Sequence, residues 1–286
     1  MTQYKKPNVK VLKAKKMASS FISTILKLGV CIMFAFPFFW MISTSFKTYA
    51  ESLQFPPTLW PEDFTLQAYI TVFEKLELGS YLMNSIILVV ANTALMVVIM
   101  VPAAYVFAKY EFKGKDFMFS ILMVAFMVPT CLTFISIFRM FAHANMLNSL
   151  WPQILPCICN AYGIFLLRQN FMQIPEELIE SARLDEANEW QIITKIMLPM
   201  AKSTMATIIF LSVTGTWNSY FWPLVMTISD EYRPLTIAIE KLKGLESGLV
   251  WPNVMAGNLV LLLPVIVVFL FASKKIIASM AYRGVK

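Results

Sequence analysis

A chain of 286 residues that is 58% hydrophobic and only 14% charged, with a mean hydropathy of +0.65, is excluded from the soluble class, whose domains run nearer half apolar and a quarter charged. The net charge of +7 does not mark a nucleic-acid binder, because the basic residues gather at the ends of apolar runs. The fold class that remains is an all-α polytopic membrane protein.

Taken in order, residues 1–27 form a basic leader with seven lysines and no acidic residue. The run 28–46 is uncharged, close to the ~20 residues a span needs, and has no A-x-A-like cleavage site, so it reads as a retained first helix and not a signal peptide. A polar, proline-rich loop at 47–79 leads into a second span at 80–108, within an uncharged run that starts at Leu78 and is expected to bend at Pro102. The third span is 117–138, with Pro129 inside, and the fourth is 150–167, with Pro152 and Pro156. Between them lies His143, the one histidine, read as a solvated loop residue because a lone imidazole makes neither metal site nor proton relay. A fifth span at 203–228 and a sixth at 255–273 flank a second polar loop, 229–254, that holds Gly244 and Gly248. Cys31, Cys131, Cys157 and Cys159 all fall in apolar stretches, which predicts buried thiols packing as small hydrophobes, with no disulfide or metal site.

Two stretches interrupt this pattern. The segment 174–199, IPEELIESARLDEANEWQIITKIMLP, carries Glu176, Glu177, Glu180, Asp185, Glu186 and Glu189 between spans four and five. Pro175 suits a first helical position, and early carboxylates complement the positive end of the helix dipole. Leu178, Ser181 and Ala182 share a face of mostly small residues; Ile192, Ile193, Ile196 and Leu198 form a second apolar stripe, stopped by Pro199. Periodicity leaves open a helical hairpin on the bilayer surface or a docking module, but an acidic face fits anionic lipid poorly, which favours a protein partner. The other stretch is TGTWNSYFWPL, where Trp217, Asn218, Tyr220, Trp222 and Pro223 cluster. An aromatic belt at the interface and a ligand-lining wall are both open there. An amide inside a span tends to face the bundle interior, and flat aromatic faces beside amides suit sugars.

Glu180, Ser181, Ala182, Asp185, Glu186 and Ala187, followed by Ile196, Leu198 and Pro199, resemble the "EAA" loop of ABC-type importer permeases. Ser181 stands at a small-residue position, and Glu186 stands where that family usually has glycine. Pro37, Trp40, Met41, Ser45 and Lys47, then Pro57 and Pro61, are similar to the start of the shorter, maltose-type permease subunit of carbohydrate importers. The run Trp217-Asn218 to Trp222-Pro223-Leu224 is similar to that family's W-N-x-x-x-W-P-L signature, and Gly284, Val285 and Lys286 to its glycine-rich tail. The resemblance implies a six-span subunit of a bacterial or archaeal cell membrane that pairs with a second, longer permease. It also implies two ATP-binding subunits, which would hold the Mg-ATP and touch both the loop and the tail, and an extracytoplasmic sugar-binding protein. Trp217, Asn218, Tyr220 and Trp222 are then candidates for the substrate path. Glycerol phosphate or another polyol remains an alternative solute.

Orientation follows without the resemblance. With six spans, 18 of the 24 Lys and Arg fall on the face that holds both termini and the 174–199 loop; the positive-inside rule makes that face cytoplasmic. The expected spans contain no Lys, Arg, Asp or Glu, which argues against an ATPase-independent secondary transporter. The chain has no phosphate-binding glycine loop and no nucleophile–base pair, so no catalytic residue and no cofactor of its own is expected.

Overall fold

The computed structural model describes residues 9–243 and 249–281, and every regular element among them is helical. Their contacts divide the chain into two units, residues 1–72 with 246–259, and residues 73–245 with 260–286.

In the first unit, α1 (Val9–Ser45) runs unbroken through Pro37, and an 18-residue apolar window within its Ser20–Ser45 stretch has no buried residue. An apolar helix left bare in this way takes lipid or partner helices as its solvent. Its last turn differs: Ser43, Thr44 and Ser45 are buried, as is Lys47 just beyond. The returning chain is tied there by Ser43 Oγ donating to Leu59 O at 2.6 Å, by a Ser45–Tyr69 hydroxyl pair at 2.9 Å, and by Phe46 stacked on Phe64. The expected loop 47–79 therefore contains helices, α2 (Tyr49–Ser52), capped by the Thr48 side chain, and α3 (Gln67–Lys75).

The second unit is built on α4 (Leu78–Lys109), which stays helical through Pro102. Tyr81, Ser85, Leu88, Asn92, Met96, Met100 and Ala104 are buried at three- and four-residue spacing, so one stripe of α4 faces protein. The outer face, with Met83, Ile86, Val90 and Val98, is exposed. Against α4 pack α8 (Ala161–Phe171) and α12 (Lys202–Trp217) through Ile164, Leu167, Phe171, Met205 and Ile208. Gly163 makes the close α4–α8 approach possible, since a Cβ there would lie 2.5 Å from Met100 Sδ.

Three expected spans are not single straight helices. The third divides into α5 (Lys115–Met127) and α6 (Thr130–His143), bent by 97°. Pro129 drives the preceding residue out of the helical region, and Val128 is extended at ψ 120°. His143 accordingly ends α6 and is not a loop residue. The fourth is α7 (Trp151–Ile154), a 3₁₀ turn at Leu155–Cys157, and then α8, restarted where Asn160 Oδ1 accepts from Gly163 N–H at 2.8 Å. Asparagine competes with helix continuation in this way. The fifth stops at Trp217 and resumes as α13 (Phe221–Met226). The sixth starts earlier than expected, as part of α15 (Trp251–Ala281), and the loop before it contains α14 (Leu235–Lys241). Among the described residues three helices are long and apolar enough to cross a membrane, or up to five if each bent pair is one span. The four cysteines are free and exposed, not buried; they lie in apolar stretches whose outer faces find no protein neighbour in the isolated chain.

Candidate functional site

The acidic segment begins one residue later than its proline implies: Pro175 is the extended N-cap (ψ 139°) and Glu176 the first residue of α9 (Glu176–Leu184). The face that packs inward is Ile179, fully buried, with Ala182 and Ala187 partly buried on the same core cluster. Of the face shared by Leu178, Ser181 and Ala182, only Ala182 packs on that cluster; Leu178 is 42% exposed and Ser181 is exposed. Glu180, Leu184, Asp185 and Glu186 are exposed as well, giving an outward surface of carboxylates around a bare leucine.

The end of α9 explains the glycine position. Glu186 has φ +60°, while Ala187 N–H donates to Ala182 O at 2.9 Å and Glu186 N–H to Arg183 O at 3.1 Å. Those two bonds are a Schellman closure, whose left-handed residue is normally glycine because a Cβ is strained there. The chain then turns into α10 (Glu189–Ile192) through a capping box: Asn188 Oδ1 accepts from Gln191 N–H at 2.9 Å, and Gln191 Oε1 from Asn188 N–H at 3.0 Å. Beyond α10 a π turn (Ile193–Met197) shifts the register by a residue. Ile192, Ile193 and Met197 are therefore the buried stripe, and Ile196 and Leu198 only half-buried. Pro199 does not end the helix; α11 (Leu198–Met200) carries on to Ala201, where the chain bends by 86° into α12.

Polar bonds tie this segment to the end of α4. Glu189 Oε2 accepts from the Tyr105 hydroxyl at 2.6 Å, and its Oε1 pairs with Arg183 Nη2 at 3.1 Å. Tyr105 and Tyr110 meet edge to face, and the Arg183 guanidinium lies 5.8 Å over the Tyr110 ring. Burial pushes the Glu189 carboxyl up, but hydrogen bonds from Tyr105 and Tyr110 and the Arg183 charge outweigh it and hold it below the ordinary range. Lys109, whose side chain is 6% exposed, donates to Ile174 O at 2.7 Å and pairs with Glu176 at 2.9 Å. Arg168 Nε donates to Phe107 O at 3.0 Å. These contacts tie α9 and its cap to the last turns of α4. Tyr105, Lys109 and Glu189 escape a sequence reading because their pairings span 65 to 84 residues.

The aromatic run has a different geometry. Trp217 is buried and donates its indole N–H to Leu261 O at 3.0 Å. Trp222 donates to Pro152 O at 2.7 Å and meets Phe134 edge to face. Asn218 is exposed, and its Nδ2 donates to Thr214 O at 2.8 Å, closing the end of α12. Tyr220 is 37% exposed. The amides that do face the interior are Asn84, donating to Glu231 O (2.7 Å) and Arg233 O (3.1 Å), and Asn92, donating to Gln153 O (3.2 Å). Both were legible as amides within an apolar run. Gly244, Gly248, Gly284, Val285 and Lys286 lie outside the described residues. Among the described residues no group of three metal-ligating side chains converges.

Residues 100–280 match the model of a family described as the binding-protein-dependent transport system inner membrane component. The chain is 28% identical over 278 residues to the arabinooligosaccharides transport system permease protein AraQ of Halalkalibacterium halodurans, covering 95% of this chain and 99% of that protein. It is 27% identical to the lactose transport system permease protein LacG of Rhizobium radiobacter, covering 86% and 89% respectively. A chain from a bacterial ABC transporter involved in import of the acidic polysaccharide alginate shares its fold, with a TM-score of 0.81 at 24% identity and coverage of 96% and 99%.

Proposed function

Because the chain belongs to the inner membrane components of binding-protein-dependent transport systems, we propose that it is one of two permease subunits of an ATP-driven sugar importer, with di- or oligosaccharides as cargo. Its arabinooligosaccharide and lactose relatives support a neutral carbohydrate. The proposed topology has six crossings with both termini in the cytoplasm, the third to fifth made from broken helices. A broken span is tolerated where its freed backbone groups meet protein or line a cavity.

The observation that carries the coupling role is the rigid tie between α9 and α4. The exposed face of Glu180, Ser181, Asp185 and Glu186 docks on an ATP-binding partner, while Ala182 and Ala187 allow close packing behind it and Pro199 stands before the bend. Closure of two such partners on Mg-ATP pushes α9. Lys109 and Glu189 pass the push to α4, and the bundle shifts from inward- to outward-facing. ATP is hydrolysed on the partner, and this chain holds no catalytic residue in the scheme. Sugar arrives from an extracytoplasmic binding protein. Tyr220 and Asn218 are the members of the aromatic run that line the path, with Trp217 and Trp222 setting its wall; Gly284, Val285 and Lys286 reach the ATP-binding pair.

The test is reconstitution of the co-purified complex in proteoliposomes with and without Glu180→Lys. The variant should fold and hydrolyse ATP yet lose most ATP-driven uptake. Unchanged uptake rejects the docking role. Uphill transport by the chain without any ATP-binding subunit rejects the importer assignment in favour of a secondary transporter.

A further inference from the structure

Carboxylates are absent from the whole start of the chain: no Asp or Glu precedes Glu51. The lysines before that point are ordered. α1 is one helix from Val9, and along it Lys13, Lys16, Ser20, Ser23 and Lys27 follow one another at spacings of three and four residues, which places them on one stripe. Lys10 borders that stripe by register, and Lys15 falls off it. Val11, Ala14, Ala18, Phe21 and Ile25 keep the same spacing on the opposite stripe. Residues 10–27 are thus a basic amphipathic helix that continues without a break into the apolar stretch beyond. At about 1.5 Å per residue the uncharged helical stretch 28–45 spans about 27 Å, close to the ~30 Å of a hydrocarbon core. Lys27 therefore falls at the boundary of that core, with the rest of the stripe in the headgroup layer and beyond. Lys27 is exposed, and so are Phe21, Ile22, Ile25 and Leu26, Phe21 to 69%.

Whatever covers this helix has to match a positive stripe and an apolar one together. A soluble polyanion meets the lysines but leaves Phe21 and Ile25 in water. An apolar helix covers Phe21 and Ile25 and leaves the lysines without counter-charge. A zwitterionic headgroup carries no net charge to attract them. An acidic protein surface is a poorer match than lipid, because protein interfaces favour arginine over lysine, and no arginine precedes Arg139 in this chain. An anionic phospholipid meets both stripes: its phosphate accepts from the lysine ammonium groups while its acyl chains lie along Phe21 and Ile25. The acidic α9, by contrast, repels the same headgroups. We propose that the lysine stripe of α1 binds anionic phospholipids of the inner leaflet. The proposal rests on the cytoplasmic placement of the N-terminus given above.

The full chain, purified with the subunits that accompany it, is held in nanodiscs of equal parts phosphatidylglycerol and phosphatidylcholine. The motionally restricted fraction of a spin-labelled analogue of each lipid reports binding. Phosphatidylglycerol should be favoured at least about fivefold, the contribution of one lysine beside an anionic surface. The preference should shrink in 1 M salt, where screening acts within about 3 Å. Combined Lys13→Gln, Lys16→Gln and Lys27→Gln should abolish most of it, and arginine at the same three positions should keep it. No preference in the wild type, or an equal preference in the glutamine variant, overturns the site. Equal competition by inorganic phosphate overturns lipid as the occupant. If the triple variant does not assemble, Lys13→Gln and Lys27→Gln are tested singly, and an unchanged preference in both overturns the stripe. In parallel, Ser19→Cys in a chain whose four native cysteines are serine is treated with an impermeant maleimide in sealed right-side-out vesicles. Labelling from outside rejects the cytoplasmic placement itself, whereas protection without lipid preference rejects only this site.

Discussion

Glu189 and Glu51 are carboxylates of similar standing in two different parts of the chain. Each lies beside aromatic rings and a basic side chain, and each is held below the usual carboxylate range against the pull of burial. They differ in what their second oxygen does. Glu189 has both oxygens engaged, one by Tyr105 and one by Arg183, so its cluster is closed. Glu51 has one oxygen doubly bonded and the other without a partner. A satisfied network stiffens the elements it joins, while a buried acceptor left unbonded costs free energy. The same residue type thus serves as a two-sided strut beside α9 and, beyond α1, as a carboxylate that gathers the Thr58 hydroxyl and the Glu62 amide on one oxygen while the other is sealed from solvent.

That contrast can be broken at its most buried point first. Lys109→Met leaves Ile174 O and Glu176 without their cation in a nearly solvent-free position, and should lower stability by about 2–3 kcal/mol; a thermal melt of the purified complex that moves by less than a degree would show that α9 is not braced there. Glu189→Gln, at a half-exposed carboxylate, should cost about 1 kcal/mol and should raise ATP hydrolysed per sugar imported, which a purely structural contact would not change. The wild-type advantage over this variant should also depend on pH. A carboxyl whose folded pKa is depressed contributes stability above its unfolded value of about 4.3, and loses it as pH falls through the folded pKa. The two melting curves should therefore converge in acid and separate near neutrality. A constant gap would reassign the effect to packing.

Smaller changes sharpen the picture. Glu186→Gly relieves a left-handed backbone at the end of α9 and should stabilise the protein by about 1 kcal/mol; loss of uptake in spite of that gain would make the Glu186 side chain itself part of the docking face. Asn218→Leu removes the closing bond of α12 and should change stability by no more than about 0.5–1 kcal/mol while reducing sugar uptake. Wild-type uptake would confine Asn218 to its role at the helix end.

The aromatic run shows where a linear reading reached its limit. Trp217, Asn218, Tyr220 and Trp222 are adjacent in sequence, but two of their indoles bond to Leu261 and Pro152, 44 and 70 residues away. An amide placed within an apolar run also occurs at Asn84 and Asn92, and it is these two that carry interior bonds. Prolines alone did not mark the interruptions, since Pro37 and Pro102 stay within their helices, whereas Val128–Pro129 produces a 97° bend.

By itself the sequence determined the solvent of this protein, its helical class, the position of the acidic segment and the small residues behind it. Each of these depends on hydrophobicity and spacing within one stretch of chain. Only the tertiary structure decided that Ile179 and Met197 are the buried anchors, that Glu186 adopts a left-handed backbone, and that Glu189 is bonded through both carboxylate oxygens and Glu51 through one. Those outcomes depend on partners far along the chain and on a π turn that shifts the register. Local periodicity cannot encode them, because hydrogen bonds and packing are settled by what arrives from elsewhere.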